Sequence, residues 1–170
     1  MEILSNRIGS LGLAAVLATV LAGCSSTDEE MVQSLAEPTT PAQTQQGPTQ
    51  AELDAQRMRD QMLAVTVFYF DFDKSELKPE AMEALRFHAQ RLRDNPSMKA
   101  RLEGHADERG TPEYNLALGE RRGIAVQRFL QVNGVPAAQL EVISYGEERP
   151  VARGTGESNW SQNRRVELKL

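Results

Sequence analysis

The sequence predicts an α/β domain, a two-layer sandwich with helices on one face of a mixed sheet. Two observations carry this. Strand-type and helix-type hydrophobic periods alternate from residue 64 to the C-terminus in the order β-α-β-α-β-(α)-β. Turn and cap residues fall between the periodic segments. The span 64–170 is long enough for one modest core.

VTVFYF at 65–70 is β-branched and aromatic, so it reads as a strand, and DFDKSELKPE after it as a loop. Pro79 suits a first helical turn and opens a helix over 79–94. Met82, Leu85, Ala89 and Leu92 form its apolar face, leaving His88 off that stripe, and Asn95-Pro96 ends it. MKARLEGH at 98–105 is a second strand. Thr111 as N-cap and Pro112 at N1 start a long helix that runs to Gln131, with Asn133-Gly134 behind it. Leu118, Ala125 and Phe129 are its expected core stripe. QLEVISYG at 139–146 is a third strand, a short helix is expected near 157–162, and RRVELKL at 164–170 alternates as a last strand.

Upstream the composition changes. Arg7 precedes an apolar run from Leu11 to Leu21, too short for a stable membrane span of about 20 residues. It ends in Leu21-Ala22-Gly23-Cys24, so residues 1–23 read as a secretory signal that is removed. Small residues before the single cysteine resemble a bacterial lipobox. Cys24 is then the lipidation site, and Ser25 after it resembles an outer-membrane sorting signal. Acyl chains contribute about 0.8 kcal/mol per buried methylene, so two or three give stable anchoring. Residues 24–63 read as the lipidated cysteine plus a flexible linker punctuated by Pro38, Pro41 and Pro48, with a short helix possible over 51–63. The domain occupies 64–170.

The net charge of −5 argues against general nucleic-acid binding. Residues 24–61 hold seven acids and two bases, whereas 62–170 hold 16 of each, so the domain is charge-rich but neutral. One cysteine and two histidines leave no Cys-based zinc site and little material for a His-rich metal centre. No cofactor is implied.

The densest polar cluster is GHADERGTPEYNLALGERR, residues 104–122, where a strand end meets a helix start. Such junctions are common ligand sites in α/β folds. Asn115, Gly119 and Arg122 share one helix face, and Gly119 would leave a notch between the two polar side chains. Asp107 precedes the helix and could point into that notch. A carboxylate accepts from an ammonium and a guanidinium grips a carboxylate, so the set suits a free amino-acid head group. From composition and spacing alone, the same residues form an internal Asp–Arg bridge more readily than a ligand site. His105 is expected to make structural hydrogen bonds, Glu108 and Arg109 to be loop charges, and Trp160 to pack the last loop. An enzyme would need a nucleophile or a paired acid and base. The sequence has no G-x-S-x-G and no H-E-x-x-H, and its only cysteine is taken by lipid.

With YFDFDKSEL upstream and NRRVELKL at the end, this cluster resembles the OmpA-like C-terminal domain family of peptidoglycan-binding lipoproteins. The resemblance covers about 67–170, and the lipobox fits it. It implies a non-enzymatic outer-membrane lipoprotein with its domain in the periplasm. Such a protein would bind peptidoglycan non-covalently through the diaminopimelate of the stem peptide. The resemblance also implies the Tol system as a partner, TolB included, with roles in envelope integrity and cell division. Carried over by position, Asp107 accepts from the ammonium, Arg122 clamps the carboxylate and Asn115 lines the pocket. Phe72 and Asp73 match the family's F-D-x-D wall, and Arg164 matches a pocket-edge arginine. Gly123 departs from the alanine many members carry, at a helix-propensity cost of roughly 0.5–1 kcal/mol.

Overall fold

In a computed structural model that describes residues 47–170, four strands form one sheet. They are β1 (Val67–Tyr69), β2 (Ala100–His105), β3 (Leu140–Gly146) and β4 (Arg165–Lys169), in the order β1-β4-β2-β3. β4 runs antiparallel to both β1 and β2, while β2 and β3 are parallel. A parallel pair needs a crossover connection, and α3 (Pro112–Val132) supplies it. The other helices are α1 (Gln50–Ala64), α2 (Pro79–Asp94) and α4 (Glu157–Asn163). The expected β-α-β-α-β-(α)-β mixed sheet is therefore present. Its strands are one to three residues shorter than the hydrophobic runs that predicted them.

Strand alternation splits the sheet into two faces. Phe68, Leu102, Val166 and Leu168 are buried with Leu85 and Leu92 of α2 and Val126 and Leu130 of α3. Each such side chain contributes about 1.5–3 kcal/mol by leaving water. The intervening residues form the other face, where Glu103 lies directly opposite Glu167. Like charges in register are destabilising. Here Arg165 and Lys169 each reach Glu167 at 2.6 Å, and Arg101 reaches Glu103 at 3.2 Å.

α2 buries Ala81, Ala84, Leu85, His88, Ala89 and Leu92. His88 thus lies inside the stripe rather than off it, because its Nε2 sits 2.8 Å from the Val65 carbonyl and ties α2 to the segment before β1. In α3, Thr111 accepts from the Tyr114 N–H at 3.2 Å, and Gly134 ends the helix with φ +88°. Its buried stripe is Leu118, Arg122, Val126 and Leu130, with Ala125 and Phe129 half-buried at its margin.

α1 begins with a capping box in which Thr49 and Glu52 cap each other. None of its residues is buried, but Met62 in its last turn packs against the core. The possible helix over 51–63 is thus formed, and the last part of the expected linker is helical rather than coil. The expected signal segment, Cys24 and the linker up to residue 46 lie outside the described residues. Among the described residues no helix is long and apolar enough to cross a membrane.

Candidate functional site

The parallel β2–β3 pair sets the site. Past the end of β2, Ala106 N–H donates to the Gly146 carbonyl at 2.8 Å, which fixes where the next residue starts. Asp107 then turns inward and is 4% exposed. Its Oδ1 accepts from Arg109 N–H at 3.1 Å and Arg109 Nε at 2.9 Å. Its Oδ2 accepts from Arg109 Nη2 at 2.6 Å and Arg164 Nη1 at 3.3 Å. Burial pushes the Asp107 carboxyl up, but the Arg109 hydrogen bonds and charge outweigh it and hold the group below the usual carboxylate range. Arg164 also donates to the Phe70 carbonyl at 3.0 Å and to Glu157. It therefore joins the end of β1, the loop after β2 and the start of α4.

Arg109 is half-buried, the most accessible of the three guanidinium groups here. It lies between two aromatic faces, 3.9 Å from the Phe72 centroid and 4.2 Å from that of Trp160. Trp160 in turn donates to Glu108 at 3.0 Å. Beside this stack is a cavity of about 220 Å³ lined by Phe72, Asp73, Asp107, Arg109, Tyr114 and Asn115, among others. Asn115 Nδ2 donates to the Arg109 carbonyl at 3.1 Å and to Glu147 at 2.5 Å, which holds the rim of the cavity. Asp73 adopts φ +57°, a left-handed conformation that aspartate tolerates better than most residues. There it accepts from the Tyr114 hydroxyl.

Arg122 stands behind this wall. It is fully buried and is not among the lining residues. Its Nη1 donates to the His105 carbonyl at 2.7 Å, Nε to the Lys74 carbonyl at 2.9 Å and Nη2 to the Asp71 carbonyl at 3.2 Å. Burial pulls its pKa down to about 10, so it remains charged at neutral pH. It staples the Asp71–Lys74 loop, which carries Phe72 and Asp73, to the end of β2. A guanidinium has five N–H groups, so two have no partner among the described residues.

The notch expected at Gly119 is closed. A Cβ on Gly119 would come within 2.9 Å of the Gly104 carbonyl oxygen, so this glycine brings α3 against β2 rather than opening a space. Gly123 has a similar reason, since a Cβ there would lie 2.6 Å from Val142 Cγ1. His105 does not make the structural hydrogen bonds expected of it. Neither ring nitrogen has a partner among the described residues; Glu167 is 3.9 Å away and the Tyr145 ring stacks at 5.5 Å. Burial, then the Arg165 charge, pull its pKa down to about 4, so the ring is neutral at pH 7.

The fold thus gathers Phe72, Asp73, Asp107 and Asn115 at one cavity, with Arg164 bonded to Asp107 and Arg122 behind the wall. Arg109, Tyr114 and Trp160 are the participants that the sequence reading missed. The D-x-R spacing was their only local signal, since the two rings that flank Arg109 come from positions 72 and 160.

Residues 69–164 match the OmpA family. The chain is 47% identical over 170 residues to the peptidoglycan-associated lipoprotein of Pseudomonas aeruginosa, covering 99% of each. The chain belongs to the peptidoglycan-associated lipoproteins of the OmpA family. A crystal structure of the peptidoglycan-associated lipoprotein from Burkholderia pseudomallei is 47% identical, with a TM-score of 0.62, covering 63% of this chain and 91% of that one. The C-terminal domain of Helicobacter pylori MotB is 23% identical with a TM-score of 0.57, covering 62% of this chain and 83% of that one, and shares the fold.

Proposed function

We propose that this peptidoglycan-associated lipoprotein binds the cell wall non-covalently through the free amino-acid head of diaminopimelate. The observation that carries the reading is a buried, ionised Asp107 at the wall of an open cavity, with guanidinium groups beside and behind it. The ligand ammonium would compete with the Arg109 side chain for Asp107. The ligand carboxylate would take Nη1 of Arg109, while the buried Arg122 holds in place the loop that carries Phe72 and Asp73. Phe72, Asp73 and Asn115 shape the opening, and Arg164 keeps Asp107 ionised and oriented. Two charge-assisted ends in one small site bind modestly because association entropy offsets part of the gain. Many copies facing one polymer add avidity.

The same reading makes Cys24 the lipid attachment point in the outer membrane, places the domain in the periplasm and makes the Tol proteins, TolB among them, its partners. The role is mechanical rather than catalytic. Asp107 is held ionised by its arginines, which suits charge recognition and not proton donation at neutral pH.

The test is co-sedimentation with purified sacculi. Binding without release of soluble fragments, competed by free diaminopimelate at millimolar levels, is expected. Binding untouched by diaminopimelate would discard the ligand. Cys24→Ser should leave the protein unlipidated and soluble, and continued membrane fractionation would contradict the anchor.

A further inference from the structure

β1 is an edge strand. Phe70 N–H donates to the Arg164 carbonyl at 2.9 Å, and the Thr66 carbonyl accepts from Leu168 N–H at 2.8 Å. Residues 66 and 70 therefore turn their main-chain groups toward β4. By strand alternation Val67 and Tyr69 turn theirs outward, where no further strand lies among the described residues. Unpaired edge groups are a template for another strand.

The space beside this edge already has a shape. A cavity of about 440 Å³ runs between β1 and the first turns of α2, with Met62, Phe68, Ala81 and Ala84 among its apolar lining. The small residues Ala81 and Ala84 leave room where longer side chains would fill the gap. Tyr69 is 47% exposed and Val65 is 40% exposed at its mouth. Lys78, Glu80 and Glu83 are its charged residues. Lys78 is paired with Asp71 at 3.1 Å, whereas neither glutamate has an ion-pair partner among the described residues. The free charge at the rim is therefore negative.

We propose that this groove takes an extended segment of another protein by strand addition, one that alternates basic and apolar residues. Its main chain would pair with Val67 and Tyr69. Its apolar residues would fill the floor. A lysine or arginine would lay its methylene stem over Ala81 and Ala84 and bring its head to Glu80 or Glu83. A second copy of this chain fits less well, because it would bring the same two unpaired carboxylates to the same edge. The groove shares no lining residue with the cavity at Asp107, so the two sites can be lost separately.

The experiment uses the full chain carrying Cys24→Ser and a fluorescein-labelled octapeptide of alternating lysine and valine, read by anisotropy. The control peptide has proline at every second position and cannot complete the ladder. Saturable binding of the first peptide and none of the second is expected. Glu80→Lys with Glu83→Lys should weaken binding about tenfold, and Val67→Pro, which removes an outward N–H, should weaken it further. Sacculus co-sedimentation of the charge-reversed protein should be unchanged. Four results would overturn the proposal: no binding at millimolar peptide, equal binding of the proline control, unchanged affinity in the charge-reversed variant, or a self-associated dimer that excludes the peptide. The charge-reversed variant alters only exposed helix positions, so it keeps the test sound if Val67→Pro fails to fold.

Discussion

Arg109 grips Asp107 with two parallel hydrogen bonds, Nε to Oδ1 at 2.9 Å and Nη2 to Oδ2 at 2.6 Å. Arg164 approaches the second oxygen from the other side at 3.3 Å. The internal bridge and the proposed ligand site, which the sequence left as alternatives, thus meet at one carboxylate. On the proposed reading, binding would exchange partners at an oxygen that is never left bare.

Asp107→Ala should abolish sacculus co-sedimentation and also destabilise the fold. Arg164 is 5% exposed and would lose a charged partner, while Arg109 can turn to solvent. A loss of about 2 kcal/mol in urea unfolding is expected. Full stability together with lost binding would mean that Asp107 has no structural share.

Arg122→Ala leaves three carbonyls without their donor. We expect a loss of about 3 kcal/mol and faster amide exchange at Asp71–Lys74, along with weaker wall binding. If binding fell while exchange in that loop stayed slow, Arg122 would act on the ligand directly and not through the loop.

His105 sets a pH window. Its folded pKa of about 4 lies below the ordinary 6.5, so between these values the unfolded chain binds the proton more readily. Stability is complete above pH 6.5 and falls as pH drops toward 4, by up to about 3 kcal/mol. Burial lowers the His88 pKa too, and that residue adds in the same direction. Glu167 acts lower down. Burial pushes it up, but Lys169 and Arg165 outweigh this and bring it to about 2 from 4.5. Its contribution is lost only below pH 4.5. Urea midpoints of His105→Phe should therefore change less between pH 7 and pH 4.5 than those of the parent, and an unchanged slope would remove His105 from the account.

Gly123→Ala gains helix propensity but places a methyl 2.6 Å from Val142 Cγ1. Overpacking of this kind costs about 1–3 kcal/mol, so a net loss is expected. In the Val142→Ala background the same change should be neutral or stabilising. Equal effects in both backgrounds would separate Gly123 from Val142.

Local pattern was enough for the elements. Alternation marked the strands, and Pro79, Thr111 and Gly134 marked helix ends where they are found. Asp107, Asn115, Phe72 and Asp73 were legible because motif and cavity coincide. The misreadings share a different cause. Gly119 read as a notch because its neighbour Gly104 comes from another element, 15 positions earlier. Arg122 read as a pocket wall because its partners Asp71 and Lys74 sit about 50 residues upstream. His88 read as off the stripe because Val65, which holds its ring, precedes the strand. Such contacts follow from tertiary register, which no helical or strand period encodes.

α1 changes how the domain hangs. Its 15 residues would reach at most about 50 Å as an extended coil, but as a helix they rise only about 22 Å. With the last turn docked on α2, that stretch is a strut rather than slack. Force arriving from the N-terminal side would enter the domain beside β1, and on the proposed anchoring the reach between a lipid at Cys24 and the wall would be shorter by up to about 30 Å.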